Sequence, residues 1–175
     1  GCAAEEAADP GIVAVVAQLG GRAEGHEAPP HAVEHGEAVA DRHNLSPEAV
    51  IAQFLSTPLR VYAMGFMPGF AYMASTPEGL ACPRLTTPRT QVPPKSLAIA
   101  GRMAAIYPWM SPGGWNLIGA MPIPTFDLQV RASPALFEAG DVVTFFEIDA
   151  GTFQTLEKPG RDPIALRREF LVDSL

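Results

Sequence analysis

The sequence reads Gly65-Phe-Met-Pro-Gly-Phe70, then Pro83-Arg-Leu-Thr-Thr-Pro-Arg-Thr-Gln-Val-Pro93, then Ser111-Pro-Gly-Gly-Trp-Asn-Leu-Ile-Gly119 across its middle, and these three blocks are its most informative part. Proline fixes φ and glycine permits positive φ, so each block holds aromatic or apolar side chains on backbone of defined shape. Proteins usually bind and react through preformed loops on a rigid scaffold. We therefore expect the functional site within these blocks.

Short apolar runs lie around the three blocks, at a spacing of roughly ten residues. Short strands with turn signals between them predict a barrel or a sandwich. Gly140-Asp141 is predicted to turn the chain into the last strand. The predicted strands are Arg60–Met64, Leu97–Ala100, Ala104–Tyr107, Trp115–Gly119, Ile123–Val130 and Val142–Ile148.

Helical signals lie towards both ends of the chain. Ser46-Pro47 is a good helix start, with serine as N-cap and proline at the first helical position. The run Ile12–Leu19 fits a helix or a strand, because it is too short for periodicity to decide. The predicted helices are 32–43, 47–55, one beginning at Asp149–Phe153, and Ile164–Leu171.

The bulk composition narrows the class of protein. Of 175 residues, 47% are hydrophobic, 18% are charged and 18 are prolines, which favours one medium domain of loop-rich β structure. The net charge of −7 argues against a nucleic-acid surface. No apolar run approaches the ~18 residues of a membrane span, and the start lacks the features of a signal peptide. A cytoplasmic protein that contacts neither nucleic acid nor membrane is expected.

Several ordered motifs extend the three blocks into a longer pattern. They are Arg60-Val-Tyr-Ala-Met-Gly-Phe-Met-Pro-Gly-Phe-Ala-Tyr72, Pro83-Arg-Leu, Pro88-Arg-Thr-Gln-Val-Pro93, Ala98-Ile-Ala-Gly101, Ile106-Tyr-Pro108 and Ser111 to Gly119. With this order and spacing, the stretch from Asn44 to Ile148 resembles the family known as allophanate hydrolase subunit 1, the 5-oxoprolinase B subunit or KipI-like proteins.

The resemblance implies a mainly β fold. Residues 55–150 are expected to form a cyclophilin-like β-barrel. A reduced helical or α+β segment (1–54) is expected to precede it, and a partly helical extension (151–175) to follow. A likeness to cyclophilin in fold does not carry its activity.

The resemblance also implies a set of activities. Members act with a second, related subunit, of the allophanate hydrolase subunit 2 type, in ATP-dependent hydrolysis of 5-oxoproline and in the carboxyltransferase part of urea carboxylase. One branch inhibits a histidine kinase instead. ATP is then expected as a co-substrate, with no resident cofactor, and a homo-oligomer is compatible with the sequence.

Several positions that are polar in the family are apolar here, among them Met103-Ala104. Three hypotheses therefore stay open at this point. The chain is a subunit of an ATP-dependent lactam or amide hydrolase, or a stand-alone barrel that binds or cyclises a small apolar molecule by shape and orientation, or a non-catalytic inhibitor of a kinase.

The candidate ligand-binding residues are aromatic, cationic or apolar side chains in and beside the blocks. Aromatic rings on preformed backbone are typical of a ligand pocket, although a packed barrel core uses the same residues. Guanidinium groups suit a carboxylate or a phosphate, although arginines also bond loop carbonyls. The candidates are Phe66, Phe70, Tyr72, Arg84, Arg89, Lys95, Met103, Tyr107, Trp109 and Trp115.

No catalytic residue is assigned from the sequence. The predicted barrel has no histidine, and Cys82 lacks a neighbouring histidine to activate it, which favours a buried structural thiol. His31 and His35 have the i, i+4 spacing of a metal pair but no clear third ligand, so we expect no metal site.

Overall fold

The computed structural model describes residues 11–17, 36–158, 162, 164–165 and 169–172, and for 11–17 and 171–172 it describes the backbone alone. Most described residues between the helices belong to strands or tight turns. The strands are β1 (Gly11–Ala17), β2 (Leu59–Met64), β3 (Ala71–Ala74), β4 (Arg89–Val92), β5 (Ser96–Ala100), β6 (Met103–Ile106), β7 (Ser111–Gly113), β8 (Asn116–Ala120), β9 (Val142–Ile148) and β10 (Leu171–Val172).

One sheet organises the fold, with the strand order β10-β1-β9-β2-β3-β6-β5-β8. Its neighbouring strands are antiparallel except β1 and β9, which run parallel from Ile12 beside Val143 to Ala17 beside Ile148. The sheet curls until β8 comes within contact distance of β1. A separate ribbon pairs β4 with β7. The prediction of a mainly β, barrel-like fold is confirmed.

The helices α1 (Glu37–His43), α2 (Pro47–Leu55) and α3 (Ala150–Glu157) accompany the sheet, and a short 3-10 helix spans Glu78–Leu80. The predicted cap of α2 is present, because the Ser46 side chain accepts a hydrogen bond from the Ala49 amide at 3.2 Å. Asp149 caps α3 in the same way, through the Thr152 amide at 2.9 Å. The predicted helix over 32–43 is described only from Glu37, since 32–35 lie outside the described residues.

The sheet separates two apolar clusters, because successive side chains of a strand point to opposite faces. In β5, Leu97 and Ile99 join the larger cluster, whereas Ala98 and Ala100 join the smaller one. The larger cluster also takes side chains from all three α-helices. Phe54 of α2, for example, meets Phe145 of β9 with ring centroids 5.2 Å apart.

The smaller cluster combines small and large side chains. Alanines on β5 and β6 leave room on this face of the sheet, and aromatic rings fill it. Its buried members are Phe70, Val92, Ala98, Ala100, Ala105, Tyr107, Trp115 and Leu117.

The strand predicted over Ile123–Val130 is wrong. Pro124 has no amide hydrogen to donate to a sheet, and the Asp127 carboxylate accepts a hydrogen bond from the Gln129 amide at 2.8 Å, which closes a local turn. Apart from one isolated bridge from Phe126 to Ala135, this stretch runs as turns and bends. Ile123 and Val130 are still buried, whereas Leu128 is 73% exposed.

The helix predicted over Ile164–Leu171 is also wrong at its far end. Leu171–Val172 is strand β10, paired antiparallel with Gly11 and Ile12 of β1. Long-range pairing has overridden local preference there. The run 12–19, left open between helix and strand, is a strand from 11 to 17, and 18–19 lie outside the described residues.

The division of the chain into 1–54, 55–150 and 151–175 stays a prediction. The sheet itself includes β1 and β10, which lie outside 55–150. None of the described helices is long and apolar enough to cross a membrane.

Candidate functional site

The β2–β3 connection begins with a three-residue turn at Phe66. The Met67 amide donates to the Gly65 carbonyl at 2.8 Å, and Phe66 has a φ of 66°. An i→i+2 hydrogen bond with a positive central φ is a γ-turn of the rare, strained form. A non-glycine residue in this region costs about 1–2 kcal/mol. The Phe66 side chain at this turn is 65% exposed.

A second turn, over Met67 to Phe70, directly follows the turn at Phe66. The Phe70 amide donates to the Met67 carbonyl at 3.1 Å, with Pro68 and then Gly69 at the centre. The φ of 79° at Gly69 suits a type II turn, which favours glycine there. A Cβ on Gly69 would lie 2.6 Å from Phe126 Cβ, so only glycine fits without displacing the 125–126 backbone. The connection is therefore rigid and held against the loop after β8.

The β4–β7 ribbon forms the opposite side of the site. Arg89 pairs with Gly113 across the ribbon, and the Leu85 amide donates to the Gly114 carbonyl at 2.7 Å. Gly113 packs on the phenol of Tyr107, since an added Cβ would lie 2.8 Å from the ring carbon that bears the hydroxyl. The glycines of this block thus allow a close approach of backbone to an aromatic ring.

Between the two loops lies a cleft of about 250 Å³, which we call the aromatic cleft. Phe70 is at its centre, with ring centroids 5.2 Å from Phe66, 5.0 Å from Tyr72, 5.4 Å from Tyr107 and 6.1 Å from Trp115. Most of these pairs meet edge to face, the arrangement that aromatic quadrupoles favour. The lining is Phe66, Phe70, Tyr72, Arg84, Pro88, Tyr107, Pro112, Gly113, Gly114 and Trp115.

Arg84 is the one charged residue among those that line the aromatic cleft. Its guanidinium carbon stands 5.6 Å from the centroid of the Trp115 ring, a cation–π contact. Within the described part of the chain, the recorded ion pair joins Lys95 to Glu157, and no carboxylate pairs with Arg84. The cleft therefore offers an unpaired cation in a chain of net charge −7.

Arg89 holds the backbone of Trp115 in place. Its Nη1 donates to the Trp115 carbonyl at 3.0 Å, so the guanidinium is used to hold the backbone that carries the indole. Asn116 fixes the other end, because its Nδ2 donates to the Pro83 carbonyl at 2.9 Å, next to Arg84. The two arginines that the sequence suggested as anion contacts thus have different surroundings.

Tyr107 contributes a hydroxyl to the cleft. Burial raises the pKa of the Tyr107 phenol, although a hydrogen bond with the Trp115 backbone and the charges of Arg84 and Arg89 act in the opposite direction. The phenol is accordingly neutral at physiological pH and serves as a polar group of the cleft wall.

The structure brings together six of the ten predicted ligand-binding residues and leaves four outside the cleft lining. Arg89 lies behind Trp115, and Lys95 donates to Glu157 at 2.5 Å and to the Pro122 carbonyl at 3.4 Å. Met103 is partly exposed on β6, and Trp109 packs on Phe126 with centroids 6.1 Å apart. A direct contact of any of the ten with a ligand stays a prediction.

Cys82 has the surroundings of a structural thiol. Burial raises the pKa of the Cys82 thiol, and Asn116 Nδ2 lies 3.2 Å from its sulfur. The neutral thiol is a poor nucleophile. His31 and His35 lie outside the described residues, and the residues that are described contain no cluster of three metal-binding side chains.

A second depression lies on the other side of Phe66, and we call it the outer groove. It has a volume of about 540 Å³ and lies between the β2–β3 turn and the chain segment before β9. Sequence reasoning did not find this groove. Its main side chains are Met64, Phe66, Met67, Phe126, Phe137 and Glu138.

The chain is similar to several known proteins. It is 45% identical to the 5-oxoprolinase B subunit of Haemophilus influenzae over 107 residues, or 61% of this chain and 50% of that protein. It is 41% identical to the protein of the same name from Bacillus subtilis over 112 residues, or 64% of this chain and 46% of that protein. The chain thus spans about half the length of the curated relatives it matches.

Solved structures agree with these matches. A conserved uncharacterized protein from Pyrococcus horikoshii superposes with a TM-score of 0.69 at 39% identity, over 81% of this chain and 61% of that chain. The Kluyveromyces lactis urea amidolyase shares the fold, with a TM-score of 0.65 at 18% identity, over 83% of this chain and 10% of that chain. The family model of the carboxyltransferase domain, subdomain C and D, matches residues 30–137. With the matching fold and motifs, this shows that the chain belongs to the family of carboxyltransferase subdomains C and D.

Proposed function

We propose that this domain is part of one subunit of an ATP-dependent lactam hydrolase of the 5-oxoprolinase type, which acts with a second, related subunit. The relatives named as B subunits of 5-oxoprolinase support such a complex. The observation that carries the proposal is the unpaired Arg84 guanidinium on the Trp115 ring. A small ring that bears a carboxylate, such as 5-oxoproline, offers an apolar face to the aromatic rings and an anion to Arg84.

The second subunit is needed for the chemistry. Opening a lactam requires an activated nucleophile and a general base. The described lining of the aromatic cleft offers two phenols, one guanidinium and otherwise apolar or backbone groups. Cys82 is buried, and its pKa is raised. We therefore assign substrate binding to this domain and the reacting groups to the partner, with ATP as co-substrate and no resident cofactor.

The test is turnover of ATP with 5-oxoproline, by this chain alone and together with the companion subunits of the Bacillus subtilis 5-oxoprolinase. We expect turnover only in the mixture. Arg84→Ala should lower kcat/KM about 10- to 100-fold, mainly through KM, because it removes a charge-assisted contact to the substrate. Arg131→Ala, at an exposed position outside the cleft, is the matched control. Absence of turnover in the mixture, or an unchanged KM in Arg84→Ala, would contradict the proposal.

A second function is favoured by the aromatic lining itself, namely binding or cyclisation of a small apolar molecule. Tryptophan fluorescence distinguishes the two functions, because Trp109→Phe leaves Trp115 as the only tryptophan. Tighter binding of 5-oxoproline than of 2-pyrrolidinone, the same lactam without the carboxylate, supports the hydrolase. Equal binding of the two, unaffected by Arg84→Ala, supports the apolar ligand.

A further inference from the structure

The outer groove has the composition of a docking surface. Its walls are apolar side chains from the β2–β3 turn and from residues 126–139, and Glu138 is the one charged residue among those lining it. Phe66 is 65% exposed beside it, and Trp109, which packs on Phe126, is 48% exposed. Exposed apolar patches of this kind mark interaction sites on soluble domains. Methionine side chains such as Met64 and Met67 adapt to the shape of a partner.

The groove is also held in shape before anything binds. The two successive turns over 65–70 are closed by three backbone hydrogen bonds of 2.8 to 3.1 Å. Gly69 packs directly on the Thr125 backbone and on the Phe126 side chain, so the two walls of the groove are in contact. A preformed surface loses little conformational entropy when a partner binds.

The position of the groove indicates which partner it receives. Phe66 lines both the outer groove and the aromatic cleft, so a chain seated in the groove stands at the mouth of the cleft. The residues that line the cleft offer no activated nucleophile and no general base for the proposed hydrolysis. A partner anchored in the groove is placed to supply both.

We propose that the outer groove receives an apolar segment of the companion subunit, with a basic residue facing Glu138, and that this contact brings the partner's reacting groups to the aromatic cleft. This inference rests on the proposed function. The anchors that suit the groove are aromatic or long aliphatic side chains, since five of its main side chains are phenylalanine or methionine. The basic residue complements the exposed Glu138 carboxylate, the one charged group among the residues that line the groove.

The experiment compares two matched variants of the full chain. Ala139 is exposed and lines the groove, whereas Ala132 is exposed and does not line it. Ala139→Arg places bulk and a positive charge beside Glu138, and Ala132→Arg makes the same change elsewhere. Binding to the companion subunits of the Bacillus subtilis 5-oxoprolinase is measured by calorimetry, and the state of each variant alone by analytical ultracentrifugation.

We expect Ala139→Arg to weaken binding about ten-fold or more, as at a central interface position, and Ala132→Arg to leave it unchanged. Binding of 5-oxoproline to the isolated chain should be equal in both variants, because neither alanine lines the aromatic cleft. Equal affinity of the two variants for the companion subunits overturns the groove proposal and leaves the proposed function standing.

Two further outcomes of these measurements would also overturn the groove proposal. Absence of binding by the unmodified chain overturns the groove proposal together with the proposed function. A dimer of the chain itself that Ala139→Arg dissociates shows that a second copy occupies the groove, and it overturns the assignment to the companion subunit.

Discussion

The two apolar clusters on opposite faces of the sheet differ in composition and in access to solvent. The larger is mostly aliphatic, is covered by the helices and buries nearly all of its side chains. The smaller is built from aromatic rings over alanines and opens directly into the aromatic cleft. The comparison separates two roles: one face of the sheet is closed and stabilises the fold, and the other exposes rings, a phenol and a guanidinium at the proposed ligand site.

Truncation of one phenylalanine in the larger cluster and of one that lines the aromatic cleft should give the largest difference in stability. Phe54→Ala removes a ring that is 1% exposed and packs on Phe145, and it should lower the free energy of unfolding by about 3–5 kcal/mol. Phe66→Ala removes an exposed ring in contact with Phe70, and the loss should be about 1 kcal/mol or less. Urea unfolding followed by circular dichroism measures both. Equal losses would mean that the cleft side also contributes to the stability of the core.

Adding one methyl group beside Tyr107 should change the free energy of unfolding by less than Phe54→Ala does. Gly113→Ala places a Cβ against the phenol and should cost about 1–3 kcal/mol, because a packed site resists additional volume. Gly114→Ala is the matched control: its nearest atoms lie at 3.6 Å, and the change should stay within about 0.5 kcal/mol. Equal unfolding midpoints for the two variants would show that Tyr107 moves freely and that the smaller cluster is not rigid.

The smallest effect on the free energy of unfolding is expected from a change at Asp149, which lies at the surface and outside both clusters. Hydrogen bonds from the Thr152 hydroxyl and amide lower the pKa of Asp149 at the start of α3. A carboxyl whose pKa is lower in the folded state stabilises the fold above the unfolded pKa, near about pH 4, and this contribution is lost as pH falls through the folded value.

Asp149→Asn keeps a good helix cap but does not titrate. The unfolding midpoints of the unmodified chain and this variant should therefore differ at neutral pH and converge in acid. A difference that is constant across the titration would show that the carboxylate charge has no role in the cap.

The sequence predicted the parts of the fold that local chemistry determines. Ser46-Pro47 marks a helix start because a hydroxyl cap and a proline suit the first turn. The run Val142–Ile148 has the β-branched and aromatic residues of a strand, and it is one. Ile123–Val130 shows where this reasoning fails, since Ile123 and Val130 are buried from turns and bends and not from a strand.

The candidate site was predictable in its residue types but not in its geometry. The aromatic residues of the three blocks meet in one cleft, as their shared surroundings of glycine and proline suggested. Arg84 and Arg89 look alike in the sequence, yet pairing of β4 with β7 places Arg89 against the Trp115 carbonyl and leaves Arg84 on the ring. The outer groove depends on contact between the β2–β3 turn and residues 125–139, which no local pattern reveals.

The parallel pairing of β1 with β9 has a consequence for the order of folding. Ile12 lies beside Val143, so this contact joins residues 131 positions apart (143 − 12 = 131), whereas β2 with β3 and β5 with β6 are neighbours along the chain. Closing a long loop is entropically costly and slow compared with forming a hairpin. We infer that on the ribosome the hairpins assemble first and β1 docks only after β9 has emerged. Pulse-labelled hydrogen exchange during refolding should show amides of 11–17 protected after those of β5 and β6, and simultaneous protection would contradict this order.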